Sequence, residues 1–148
     1  MIWDGKTAYN NRTGTGAVGV EFAGTAVSSS GLSSVSRAEA EEVASTYSGN
    51  SELKWVEGYY RGYFELHLRA DTAEARYFGC PSVAFRNSWE LPLANWTVRH
   101  EESHLERPLA GGEVEAGWFR GRTGHSDVSL NTETGAWERV QFEQMFIE

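Results

Sequence analysis

The sequence predicts a mainly β chain with one clear helix, an α+β fold, and three observations carry that reading. Several stretches alternate apolar and polar residues with the period of two that suits half-buried strands. Sixteen glycines and an aromatic content of 13%, with six tryptophans, form a mixture typical of strands and tight turns rather than helical bundles. A single segment, from Ser36 to Gly49, has helical periodicity.

Residues 1–16 read as a loop around Asn10-Asn11 and Thr13-Gly14-Thr15-Gly16. Val18, Val20 and Phe22 then alternate with Gly19 and Glu21, which predicts a strand running on through Gly24 and Ala26 to Val27. The serine-glycine stretch Ser28–Ser34 breaks it. Ser36 and Glu39 have capping-box spacing, so each side chain can satisfy a helix-start donor. Ala40, Val43, Ala44 and Tyr47 follow at i, i+3, i+4 and i+7, with Gly49 as the stop. Glu39 and Glu42 form the solvated face.

Leu53–Val56 reads as a short strand. Tyr59–Leu68 reads as a longer one, with Tyr60, Gly62, Phe64, Leu66 and Leu68 on one face and Tyr59, Arg61, Tyr63, Glu65 and His67 on the other. Ala70-Asp71 turns the chain into a partner strand, Thr72–Phe78. Apolar pieces follow at Val83–Phe85, Leu91–Trp96 and Val114–Phe119. The end reads as a hairpin: Asp127–Leu130, a turn over Asn131–Gly135, then Ala136–Phe142.

With 148 residues the chain has the length of one ordinary domain. A net charge of -8 excludes a general nucleic-acid or anionic-membrane binder. Only three of the 21 acidic residues are aspartates (Asp4, Asp71, Asp127), and there are four histidines, one cysteine and two lysines. Multi-metal and lysine-based sites therefore have little raw material. The lone Cys80 excludes an internal disulfide framework and any cysteine-rich zinc site. No apolar run approaches the roughly 18 residues of a membrane span, and no leader-like segment opens the sequence.

Several motifs match on paper. Gly14-Thr15-Gly16-Ala17-Val18-Gly19 is a literal G-x-G-x-x-G, but a loop precedes it and a strand follows, so no helix dipole would face a phosphate. His100-Glu101-Glu102-Ser103-His104 is a literal H-E-x-x-H, which on a helix would hold zinc between His100 and His104 with Glu101 as general base. Polar residues fill its middle and no third histidine follows, so a surface loop is the preferred reading and a zinc protease the weaker alternative. His125-Ser126-Asp127 cannot form a relay if these neighbours lie in a strand, because their side chains would alternate faces. Cys80 reads as a packed small residue. Asn11-Arg12-Thr13 and Asn95-Trp96-Thr97 are glycosylation sequons that matter if the chain is secreted.

The run Gly16-Ala17-Val18-Gly19-Val20-Glu21-Phe22-Ala23-Gly24-Thr25-Ala26-Val27-Ser28-Ser29 resembles the C-terminal part of alkaline phosphatase D (PhoD-like) metallophosphatases. The resemblance continues in order through Asn50–Trp55, Tyr59-Tyr60-Arg61-Gly62-Tyr63 and Arg76-Tyr77-Phe78-Gly79-Cys80-Pro81. Asn87–Val98, Arg107–Gly112 and the terminal hairpin look like fungal members.

This resemblance implies the C-terminal portion of a calcineurin-like β-sandwich phosphoesterase fold, incomplete on its own. Residues 1–80 would be the last strands and helix of the phosphatase domain, and residues 81–148 a β-rich extension. Complete members hydrolyse phosphate esters at a metal centre of calcium, iron or other divalent cations, held on motifs such as G-D-x-H. This chain has no Gly-Asp pair and no Gly-Asn-His, and the family's last metal motif is expected just upstream of Met1-Ile2-Trp3-Asp4. No catalytic residue, metal ligand or cofactor is therefore expected within it, and Cys80 is not the family's ligand cysteine. Arg61 and Tyr60 would line the substrate cleft of a complete enzyme, although an Arg61–Glu65 ion pair on the strand is the preferred role for the arginine. Expected partners are the missing catalytic half or a second copy joined through exposed sheet edges. The resemblance implies an extracellular or secretory location. A stand-alone β-rich binding or structural module is the alternative to a non-catalytic phosphatase fragment.

Overall fold

Short antiparallel strands build two main sheets whose facing sides share one core. The computed structural model describes residues 2–4, 8–27, 37–83, 86–120, 122–124, 128–130 and 137–139. The first sheet contains β1 (Ile2–Asp4), β2 (Val20–Phe22), β3 (Leu53–Val56), β7 (Gly117–Phe119) and β8 (Arg122–Gly124), in the order β2-β1-β3-β7-β8. The second contains β4 (Arg61–Leu68), β5 (Thr72–Cys80) and β6 (Leu91–Arg99), in that order. Strands β9 (Val128–Leu130) and β10 (Trp137–Arg139) pair antiparallel, as the hairpin pattern predicts, while the turn between them lies outside the described residues.

Among the described residues the one α-helix is α1 (Arg37–Ser45), which agrees with the mainly β reading. Its predicted cap Ser36 lies outside the described residues. The apolar stripe is narrower than expected: Ala40 and Ala44 are buried, whereas Val43 and Tyr47 are exposed. Local side-chain bonds explain this. The Ser45 hydroxyl donates to Glu42 O at 2.7 Å and the Thr46 hydroxyl to Val43 O at 2.6 Å. Such bonds to preceding carbonyls compete with the helix ladder, and the chain tightens into a 3-10 turn, Thr46–Gly49, that swings Tyr47 away.

The predicted strand Val18–Val27 forms a ladder only at Val20–Phe22, where β1 lies opposite. Val18 and Val27, beyond that three-residue partner, remain exposed. By contrast β3 matches its predicted bounds and is buried along all four residues. Trp55 joins the main core with Tyr77, Trp96, Leu93, Leu105 and Phe119. A smaller cluster of Ala44, Leu53, Val56 and Trp118 holds α1 against the first sheet. The turn at Ala70-Asp71 is as predicted, closed by Arg69 N–H donating to Thr72 O at 2.8 Å.

Strand β6 carries Pro92 beside a register shift, where Tyr77 faces Ala94 but Phe78 faces Pro92. A proline in a ladder is tolerated at such bulges on an edge strand. The described helices include none long and apolar enough to cross a membrane.

Candidate functional site

The turn from β3 into β4 is organised by Glu57. Its carboxylate accepts the backbone N–H groups of Tyr59 at 2.8 Å and Tyr60 at 2.9 Å. This arrangement delivers Arg61, the first residue of β4, into a site that is only 8% exposed. There Arg61 Nη2 donates to Gly58 O at 3.1 Å, while the buried Nε has no hydrogen-bond acceptor. Arg61 borders a cavity of about 220 Å³ shared with Tyr59, Tyr60, Cys80 and Ser82. The two tyrosine rings meet edge to face at 5.1 Å.

The expected Arg61–Glu65 ion pair does not form. Four residues along a strand span about 13 Å, beyond the reach of a direct pair. Glu65 instead lies 3.1 Å from His67 Nε2, two positions along the same face.

A polar cluster stands on the outer face of β5 and β6. Glu74 accepts both Arg76 Nε at 3.1 Å and Arg76 Nη2 at 2.9 Å, together with Asn95 Nδ2 at 3.0 Å. The Arg76 hydrogen bonds, followed by that from Asn95, hold the Glu74 carboxyl down at about 2 against an ordinary 4.5. The folded value is the lower one, so this contribution is present above pH 4.5 and fades as pH falls through about 2. Glu74→Gln is therefore expected to lower stability at pH 7 by about 1 kcal/mol, the scale of a well-aligned pair near the surface. Urea midpoints of the two proteins should converge near pH 2, and a gap that persists there would contradict the assignment.

Arg76 and Asn95 border a second cavity of about 360 Å³ with Leu93, Ala110, Glu113 and Glu115. Nearby, the Tyr63 hydroxyl donates to Glu90, and that bond pushes the phenol up to about 12.

His100–His104 forms a turn rather than a helix. His100 N–H donates to Asp71 O at 2.7 Å, Glu102 N–H to Arg99 O at 3.1 Å, and Glu101 sits at φ +65°. His100 is exposed, whereas His104 is half-buried with Nδ1 2.9 Å from Leu105 O. The helix required by the zinc-protease alternative is absent at these residues. Gly14, at φ +84°, passes beneath His104 so closely that a Cβ would lie 2.6 Å from the imidazole Cγ. The Gly14–Gly19 stretch thus serves as a loop leading into β2, as its sequence context predicts. His125-Ser126-Asp127 lies outside the described residues.

Lys54 carries structure that the residue pattern did not reveal. Its side chain is fully buried, with Nζ donating to Asn11 Oδ1 and Ser51 O, both at 2.7 Å, and lying 4.3 Å from the Tyr9 ring centroid. A lone cation between Leu53 and Trp55 in an apolar strand was the available signal. Both sequon asparagines are already engaged, Asn11 with Lys54 and Asn95 with Glu74.

Among the described residues, no group of three or more His, Cys, Asp or Glu side chains converges to hold a metal ion. The described residues therefore do not fit a metal centre. A family model described as PhoD-like phosphatase matches residues 2–77, covering β1 to most of β5 and including Tyr60 and Arg61. The sequence resemblance at Asn87–Val98 and Arg107–Gly112 falls outside that match. No curated protein and no solved structure matches the chain.

Proposed function

The chain belongs to the PhoD-like phosphatase family, and we propose that it serves as the non-catalytic C-terminal portion of a metal-dependent phosphatase. One observation carries the reading: the described acids, histidines and Cys80 converge nowhere on a metal-binding cluster. The sequence likewise lacks the Gly-Asp and Gly-Asn-His elements on which phosphate-ester hydrolysis in this family rests. Residues outside this chain supply the metal centre and the attacking water, in an extracellular or secretory setting. Exposed apolar residues at Val18, Val27, Leu66 and Leu68 support a fold that meets further protein.

Arg61 and Tyr60 then line the substrate side of the complete enzyme. What supports this is a buried guanidinium with an unpartnered Nε at the border of a cavity. A group of that kind is costly unless something accepts from it.

Purified chain assayed with p-nitrophenyl phosphate, and with calcium, iron, manganese or zinc added in turn, is expected to give no turnover above the metal-only blank. Metal-dependent hydrolysis abolished by chelator would overturn the reading.

A further inference from the structure

We propose that two copies of this chain pair antiparallel through the outer edge of β4, in a register centred on Leu66. Strand β4 ends the order of its sheet, with β5 on one side and no described strand on the other. The turn fixes which backbone groups face that edge. Arg69 and Thr72 close the hairpin with a hydrogen bond of 2.8 Å. Hydrogen-bonded and non-hydrogen-bonded pairs alternate from there. His67, Glu65 and Tyr63 therefore exchange bonds with β5, opposite Glu74, Arg76 and Phe78. Gly62, Phe64, Leu66 and Leu68 direct their N–H and C=O groups outward. Among the described residues, no backbone bond outside the ladder reaches these four.

The same edge exposes apolar surface. Leu66 is 48% and Leu68 71% accessible, at the end of the face whose other members enter the core. An open edge with apolar side chains beside it is a template for strand addition.

The outward groups restrict the register, since even-numbered residues must meet even-numbered residues. Four antiparallel registers centred on residues 64 to 67 satisfy this. Centring on Glu65 sets that carboxylate against its own copy, and centring on His67 does the same to the imidazole. Centring on Phe64 sets Arg61 against His67 and leaves Leu68 opposite Tyr60, which is already buried. Centring on Leu66 places Glu65 opposite His67 twice, Phe64 opposite Leu68 twice, and Tyr63 opposite Arg69 twice. The two Leu66 side chains then meet on the axis. Each directly opposed pair is carboxylate with imidazole, apolar, or cation with aromatic ring, combinations that stabilise cross-strand neighbours. Both exposed leucines enter the seam, and the two three-stranded sheets become one of six strands. This inference does not depend on the phosphatase reading.

Light scattering after size exclusion, at loading concentrations from about 1 to about 100 μM, spans the range suited to a small interface. The mass is expected to rise with concentration towards twice the 16.5 kDa of one chain. Leu66→Pro removes an outward N–H without touching the β5 ladder, and is expected to keep the protein monomeric. Glu65→Lys and His67→Glu alter exposed side chains, which are 49% and 38% accessible, so circular dichroism should match the unsubstituted chain. His67→Glu alone sets two carboxylates opposite each other and Glu65→Lys alone removes the carboxylate that faces His67, so each is expected to be monomeric. Mixed one to one they are expected to recover the dimer, because the introduced lysine meets the introduced glutamate and the remaining pair is native. An unsubstituted chain that stays monomeric throughout would overturn the proposal, as would a dimer indifferent to all three substitutions. Single variants that are monomeric and fail to complement would overturn the Leu66 register.

Discussion

Trp55→Ala is expected to lower the unfolding free energy by about 3–5 kcal/mol, the range for deleting a fully packed indole. Trp55 is 2% exposed and joins the two sheets. Its ring meets Tyr77 edge-on at 5.0 Å and Trp96 at 6.1 Å, while Nε1 donates to Ala116 O at 2.8 Å. Alanine removes the contact between sheets and leaves the Ala116 carbonyl without its indole donor. Domains of this size have roughly 5–15 kcal/mol in total, so the variant retains little of it. Trp55→Phe separates the contributions, keeping most of the apolar volume while losing the hydrogen bond, and is expected to cost about 1–2 kcal/mol. Urea denaturation followed by far-ultraviolet circular dichroism reads both. An alanine variant within 1 kcal/mol of the unsubstituted protein would mean that Trp55 is not the centre of the core.

What the sequence revealed of the fold was mostly local. The β3 bounds, the two faces of β4 and the Ala70-Asp71 turn follow from alternation and turn chemistry within a few residues. Features that depend on a distant partner were less legible. The strand at Val18–Val27 has the correct pattern throughout, yet its ladder extends only as far as Ile2–Asp4 lies opposite. Leu66 and Leu68 share the period of buried Tyr60, but only the position of the core shows that they lie beyond its edge.

Similar limits apply to the candidate site. The tyrosine-arginine segment at Tyr59–Tyr63 stands out in the sequence, and the turn built on Glu57 does place Arg61 beside Cys80 and Ser82 across the ladder. Its pairing with Glu65 fails because strand geometry separates positions four apart. Lys54 meets Asn11 across 43 positions, a closure that no motif or local spacing encodes. The H-E-x-x-H pattern is the converse case, a residue spacing with chemical meaning only on a helix. The backbone at His100–His104 turns instead, because β6 has just ended and the chain is bonded back to Asp71.

Gly62→Ala is expected to destabilise by about 3 kcal/mol or more, the upper end for forcing volume into a packed site. Gly62 faces Gly79 across the β4–β5 ladder, next to the register shift at Tyr77 and Phe78. A Cβ there would stand 2.0 Å from Phe78 O and 3.1 Å from Gly79 Cα. Both are backbone atoms, so no side-chain rotation relieves the clash, and β4 must move away from β5. That movement carries Arg61 and Tyr63 with it, loosening the Tyr63–Phe78 stack at 5.3 Å. Gly49→Ala is the matched control, because nothing lies within 4 Å of its Cβ position. With no left-handed backbone required there, it is expected to be neutral or to stabilise by about 0.4–1 kcal/mol through the unfolded chain. Thermal and urea melts of the two variants should therefore diverge by several kilocalories for the same added methyl group. Similar midpoints for both would show that β4 and β5 do not approach at Gly62 as closely as the structure has them.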